Sequence, residues 1–132
     1  MPSPEFRKTA WSFPNTHEVL EFYRAAATAQ RFCDFVAPAR SLRRCAQESA
    51  RALTGACVDP GLQRVLTEAL SPQDEIAIPV LVNGVELEGR AVWVVEWVWE
   101  KTGPEEPDRC CHYRIEIIEP ATGKTLDYSQ CG

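Results

Sequence analysis

The chain has 132 residues, of which 45% are hydrophobic and 25% charged, and its formal net charge at pH 7 is −5. This composition is typical of one globular domain that buries a core without metal or disulfide staples. No apolar run approaches the roughly 18 residues of a membrane-spanning helix, and the first residues contain no apolar signal segment. We therefore expect a soluble single domain over residues 1–132 in the cytoplasm, with no membrane contact. Secretion would follow if a signal peptide had been removed.

The charge is divided unevenly along the chain. Residues 1–72 carry nine Lys/Arg and seven Asp/Glu, whereas residues 73–132 carry five Lys/Arg and twelve Asp/Glu. The acidic second half would repel the phosphates of a nucleic acid. We therefore expect the partner to be another protein with a basic surface, and we do not expect direct nucleic-acid binding.

Helix signals dominate residues 1–72. Asn15 with Glu18 forms a capping box that predicts a first helix ending near residue 35. A second helix is expected from about residue 39 or 41 to residue 54. Asp59, as the cap residue before a proline, predicts a third helix that ends before a Ser-Pro pair at residues 71–72.

Strand signals begin after residue 73. Residues 76–82 alternate around Pro79, which cannot donate a ladder hydrogen bond and therefore predicts an edge strand. Asn83-Gly84 is typical of a tight hairpin turn. Gly89 is expected to mark a bulge or bend before the next strand.

The sequence AVWVVEWVWE at residues 91–100 predicts a strand with two different faces. Trp93, Trp97 and Trp99 fall on one face because alternate residues of a strand share a face. Glu96 and Glu100 fall on the other face, which we expect to be partly exposed to water. The first helix is expected to cover the tryptophan face.

Two more strands are expected at residues 109–119 and 124–130, after a polar loop at residues 101–108. The predicted fold is therefore an α+β domain, with three N-terminal helices in residues 1–72 followed by a four-stranded antiparallel sheet in residues 73–132. In this arrangement the sheet packs on the first helix.

The last 45 residues or so carry the run VWVVEW followed by HYRIEIIEPATGKTL. This run resembles the hairpin of PepSY-type domains, and more broadly it is similar to a cystatin-like unit. The resemblance implies a helix wrapped by an antiparallel sheet, and a role in binding or restraining peptidases. The residues at the turn-motif positions are Glu119, Thr122, Gly123, Lys124 and Leu126.

The six cysteines include no Cys-x-x-Cys pair, which removes the usual zinc and thioredoxin spacings. Cys110, His112 and Cys131 could still supply three ligands to a zinc ion. The alternative is that the cysteines are small buried hydrophobic residues, or form disulfides in an exported protein. We expect no cofactor, with zinc kept as the one exception.

These observations predict a small acidic protein-binding module. We expect an inhibitor of the immunity, anti-defence or peptidase-binding type, which acts by occluding a basic site on its partner. No catalytic signature was found, so an enzyme is not favoured. The residues expected to contact the partner are Glu86, Glu88, Glu96, Glu100, Glu105 and Glu106.

Two alternative functions remain open at this point. One is a metal- or thiol-dependent protein that uses Cys110, His112 and Cys131. The other is a cup for a small molecule, lined by the tryptophans. A homodimer formed through an exposed sheet face is compatible with any of these functions.

Overall fold

The computed structural model describes residues 5–26, 28, 59–68, 75–101 and 112–131. Neither helix in these residues is long and apolar enough to cross a membrane. In chain order, the elements are strand β1 (Glu5–Phe13), helix α1 (Thr16–Ala26), helix α2 (Pro60–Glu68) and strands β2 (Glu75–Leu87), β3 (Arg90–Lys101), β4 (His112–Ile118) and β5 (Thr125–Cys131).

The five strands form one mixed sheet in the order β1-β2-β3-β4-β5. β1 runs parallel to β2, and all the other neighbouring pairs are antiparallel. The prediction of three helices and a four-stranded antiparallel sheet is therefore wrong, because the described residues contain two helices and five strands. The predicted second helix, and the first helix beyond residue 28, lie outside the described residues.

The missed strand is β1, which lies in the part of the chain expected to be helical. Phe6 packs against Trp93, with the ring centroids 5.3 Å apart, and Phe13 pairs with Leu87 of β2. The register between β1 and β2 shifts between Lys8 and Ser12. This irregularity breaks the simple alternation of apolar residues, so the sequence shows no clear strand period.

β2 continues through Asn83-Gly84, so the hairpin predicted there is wrong. The amide Nδ2 of Asn83 donates to the hydroxyl of Tyr23 at 2.8 Å. A Cβ at Gly84 would lie 3.3 Å from the indole of Trp93, so glycine makes room for that ring. Both residues therefore serve packing within the strand instead of a turn.

The hairpin between β2 and β3 turns at Glu88-Gly89 instead. Leu87 pairs with Arg90, and the two residues between them have φ values of 51° and 81°. Two successive positive φ angles are typical of a type I′ turn, which fits the twist of a hairpin. Gly89 thus marks the turn itself and not a bulge.

The prediction from Pro79 that this segment is an edge strand is also wrong, because β2 lies between β1 and β3. Pairing with the described part of β1 begins at Leu81, and the register with β3 shifts between Pro79 and Leu81. Proline is thus placed at an irregular point of an inner strand, where a missing N–H is tolerated.

Within the described residues, each face of the sheet is covered by one helix. On the α1 face, Val19, Leu20 and Tyr23 pack against inward side chains such as Val94 and Ile117. On the α2 face, the packing residues are Leu62, Leu66, Val82, Trp93, Val95, Trp97 and Ile118.

The tryptophan face is therefore covered by α2, and the expectation that the first helix covers it is wrong. The face opposite the tryptophans was expected to be partly wet, but α1 lies there. A consequence is that Glu96, which belongs to the α1 face, is only 1% exposed.

α2 is joined to the turn between β4 and β5 by backbone contacts. The N–H of Gly61 donates to the carbonyl of Pro120 at 3.0 Å, and Arg64 donates to the carbonyl of Thr122. A Cβ at Gly61 would lie 2.4 Å from the backbone N of Gly123. The indole N–H of Trp93 adds a bond of 2.6 Å to Asp59 Oδ2, at the start of the helix.

Candidate protein-interaction surface

Two large aromatic side chains are exposed side by side at the β1 edge of the sheet. Trp11 is 37% exposed and Phe22 is 41% exposed, and their ring centroids are 5.1 Å apart. Phe13 packs edge-on against Phe22 at 5.5 Å, and the buried Tyr23 does so at 5.1 Å. We refer to Trp11, Phe13 and Phe22 as the aromatic patch.

The irregularity in β1 places Trp11 in the patch. The hydroxyl of Thr9 donates to the carbonyl of Gly84 at 2.8 Å and accepts from the N–H of Trp11 at 3.1 Å. Lys8 pairs with Gly84 and Ser12 pairs with Glu86, so the chain advances four residues on β1 but only two on β2. Such a bulge redirects a side chain, and here it brings Trp11 beside α1.

α1 holds Phe22 in place through its own anchors. Asn15 caps the helix as predicted, because its Oδ1 accepts the N–H of Glu18 at 2.9 Å. The hydroxyl of Thr16 donates to Asp127 of β5 at 2.7 Å. The patch is thus formed by two elements that are fixed independently to the same sheet.

A positive charge lies directly beside the patch. The guanidinium of Arg7 lies 5.2 Å from the centroid of the Trp11 ring, a cation–π distance. The exposed ion pair of Glu21 and Arg24 on α1, at 3.3 Å, lies towards β5 instead, where Arg24 also donates to the hydroxyl of Ser129. The surroundings of the patch can therefore discriminate between partners by charge as well as by shape.

Two of the predicted contact residues lie near the patch. Glu86 and Glu88 are both exposed in the β2–β3 hairpin. The N–H of Glu88 donates to the carbonyl of Phe13 at 3.1 Å, and Glu86 pairs with Ser12. The acidic hairpin and the end of β1 are thus neighbours in space.

The other predicted contact residues are placed differently. Glu96 is buried on the α1 face, where it pairs with Leu81 and Ile115, so its carboxylate does not reach the surface. Glu100 belongs to β3, where its backbone pairs with Ile76 of β2. Glu105 and Glu106 lie outside the described residues.

The proposed zinc ligands are not brought together by the part of the chain that the structure describes. Cys110 lies outside it. Cys131 of β5 pairs with Tyr113 of β4, which is the residue after His112, and His112 itself pairs with Trp99 of β3. The two candidate ligands are therefore not directly opposite each other. Among the described residues, no group of three His, Cys, Asp or Glu side chains could hold a metal ion.

A second polar cluster lies on the α2 face of β4 and β5. The guanidinium of Arg114 stacks 4.0 Å from the ring centroid of Tyr128, and its Nε lies 2.6 Å from Oε1 of Glu116. Burial raises the pKa of Glu116, while Arg114 and the indole of Trp97 oppose this rise. The cluster is a partly buried ion pair, an arrangement that is common in sheets.

The aromatic patch was missed in the sequence. Phe22 falls within the apolar stripe of the first helix, which predicts burial, but the structure exposes it. Trp11 stands outside every predicted element. A tryptophan between two phenylalanines in a stretch without any assigned structure was the one available signal, and it did not indicate exposure.

Comparisons of the chain with protein-family models, with curated proteins and with solved structures found no match.

Proposed function

We propose that this protein is a protein-binding module and that the aromatic patch is the main contact with its partner. The observation that supports this proposal is the pair of exposed rings, Trp11 and Phe22, in contact on two anchored elements. Aromatic residues are enriched in protein interfaces, and tryptophan is prominent among residues that dominate binding energy. Single exposed apolar residues are ordinary, whereas a contiguous aromatic patch is typical of an interaction site.

The acidic hairpin supports attraction of a partner with a basic region. Glu86 and Glu88 are exposed beside Phe13, and the chain carries a net charge of −5. Charges at the rim of an interface mainly raise the association rate, and salt screens this effect. The module would then inhibit its partner by covering the basic region, as the sequence suggests.

The packing of the tryptophans favours this proposal over a small-molecule cup. Trp93 and Trp97 are buried and contact Leu62 and Leu66 of α2. Their indole surfaces are therefore occupied by the protein's own core. Trp11 and Phe22 form a contiguous exposed aromatic surface at the β1 edge instead.

The test first identifies the partner. A photoreactive side chain at position 13 crosslinks the partner in the source cell, and the identified partner is then purified. We compare Trp11→Ala with Leu126→Ala, because both residues are 37% exposed in the wild type. Trp11→Ala should weaken binding by about 30-fold or more, as expected for a dominant contact. Leu126→Ala should leave the dissociation constant within about twofold, since rim or remote residues contribute little.

Equal dissociation constants for the two variants would overturn the proposal.

A separate measurement tests the electrostatic part. The double substitution Glu86→Gln and Glu88→Gln should slow association at low salt and lose this effect at high salt. An association rate that does not depend on these two residues would contradict the proposal that the partner has a basic region. The proposal that the aromatic patch is the main contact would stand.

A further inference from the structure

The outer edge of β1 offers a backbone surface directly beside the aromatic patch. β1 is the first strand of the sheet, and among the described residues it pairs only with β2. The N–H and C=O groups on the far side of an edge strand need water or a partner chain. β1 contains no proline that would block such pairing.

The side chains of β1 indicate what can approach this edge. Phe13 accepts the N–H of Glu88 through its carbonyl, so its polar groups face β2. Because these groups alternate along a strand, those of Ser12 face outward. The outward groups of Ser12 therefore adjoin Trp11, which the bulge turns towards α1.

We propose, as an extension of the proposed function on which it rests, that the partner binds by adding an extended segment to the outer edge of β1. The backbone of the segment would pair with β1, and an apolar side chain would pack on Trp11 and Phe22. This is the strand-addition mode of recognition, in which backbone bonds provide affinity and alternate side chains provide specificity.

The local charges distinguish a foreign segment from a second copy of this chain. Arg7 and Lys8 are exposed on β1. An antiparallel pairing of two β1 strands centred between Arg7 and Lys8 would place Arg7 of each copy opposite Lys8 of the other, and like charges directly opposite each other are destabilising. Arg7, which lies beside Trp11, favours a segment that carries a carboxylate near its apolar side chain.

This local preference is compatible with a basic region elsewhere on the partner. Arg7 and Lys8 lie towards the beginning of β1, whereas Glu86 and Glu88 lie near its end at Phe13. A partner with a carboxylate at one end of the segment and a cation at the other would match both. Such a charge pattern would also fix the direction in which the segment binds.

The test uses a display library of random linear peptides as the probe, with the full chain as bait. Selected peptides should combine alternating apolar residues with an acidic residue, and Trp11→Ala should weaken their binding about tenfold or more. Hydrogen exchange of the β1 amides should slow when such a peptide is bound. Ser12→Pro should weaken binding because it removes an outward N–H, whereas Ser12→Ala should not.

Each outcome decides the question. Peptides that depend on Trp11 but leave the exchange of β1 unchanged would overturn strand addition, while the proposed function would stand. Failure to select any Trp11-dependent peptide would also overturn it. If the β1 amides of the free protein exchange more slowly as the protein concentration rises, the edge is assigned to a second copy. If Ser12→Pro fails to fold, the exchange measurement on the wild type still decides.

Discussion

Asn83 and Tyr23 connect the inner strand β2 to helix α1 through a buried hydrogen bond of 2.8 Å between the amide Nδ2 and the phenol oxygen. Both side chains are almost fully buried. The ring of Tyr23 packs edge-on against Phe22, so this bond also supports the exposed part of the aromatic patch. The polar pair thus relates the core of the sheet to the proposed binding surface.

Removal of this hydrogen bond should destabilise the protein. Tyr23→Phe deletes the hydroxyl and leaves a buried amide donor of Asn83 without this acceptor, at a cost of about 1–3 kcal/mol in the free energy of unfolding. Tyr128→Phe is the matched control, because Tyr128 is 53% exposed, and it should change the free energy by less than about 0.5 kcal/mol. Urea denaturation of both variants measures the difference, and equal stabilities would contradict this role of the Asn83–Tyr23 bond.

Contact between Gly61 and Gly123 should make the second of these glycines hard to replace. Gly123 has a φ of 76°, and a Cβ there would lie 2.6 Å from the carbonyl oxygen of Gly61. Gly89 has a similar φ of 81° but no atom within 4 Å of its Cβ position. Gly89→Ala should therefore cost only the backbone strain of about 1–2 kcal/mol.

Gly123→Ala carries the same backbone strain and also forces α2 away from the β4–β5 turn. We expect an additional loss of about 1–3 kcal/mol, as for other overpacked sites. Thermal denaturation of the two alanine variants gives the comparison. A Gly123→Ala variant as stable as Gly89→Ala would show that this close backbone contact does not hold the helix in place.

Glu88 is the one described non-glycine residue with a positive φ, and its replacement should stabilise the hairpin. Asparagine adopts this conformation more readily than glutamate, so Glu88→Asn should raise the free energy of unfolding by about 0.5–1 kcal/mol. Glu88→Ala removes the same charge without the conformational benefit and serves as the control. No gain in melting temperature of Glu88→Asn over Glu88→Ala would contradict the turn assignment.

The buried carboxyl of Glu116 should make stability depend on pH. Its pKa is raised above the ordinary value of 4.5, chiefly by burial. The folded protein therefore keeps a proton that the unfolded chain has released. The resulting contribution to the free energy of unfolding is full below pH 4.5 and is lost as pH rises through the folded pKa.

Glu116→Gln should remove this loss, so that its free energy of unfolding decreases less than that of the wild type between pH 4.5 and neutrality. Denaturation at a series of pH values measures the two slopes. Glu86→Gln, which removes an exposed carboxylate, is the control and should follow the wild type. If Glu116→Gln also followed the wild type, burial would not govern this carboxyl.

Local signals in the sequence were sufficient where a short segment carries its own information. The Asn15 cap and the Asp59-Pro60 start both predicted helices that the structure contains. Alternation in β3 and β4 correctly assigned Trp93 and Trp97 to one face and Ile115 and Ile117 to a shared face. These patterns depend on backbone geometry alone, so they survive without knowledge of the tertiary contacts.

Local signals failed where a distant residue decides the outcome. Asn83-Gly84 has the composition of a turn, but Tyr23 and Trp93 use these residues within a strand. Glu96 alternates onto the face opposite the tryptophans, and only the position of α1 shows that this face is buried. The aromatic patch arises in the same way, since its rings come from β1 and α1.

The sequence by itself determined the starts of α1 and α2, the alternating strands and the acidic second half, because each is a property of neighbouring residues. The tertiary structure alone decided that β1 completes the sheet as a parallel edge strand, that a helix covers each face, and that Trp11 meets Phe22 at the surface. These outcomes depend on contacts between residues far apart in the chain, and the free energy of such contacts overrides local preference.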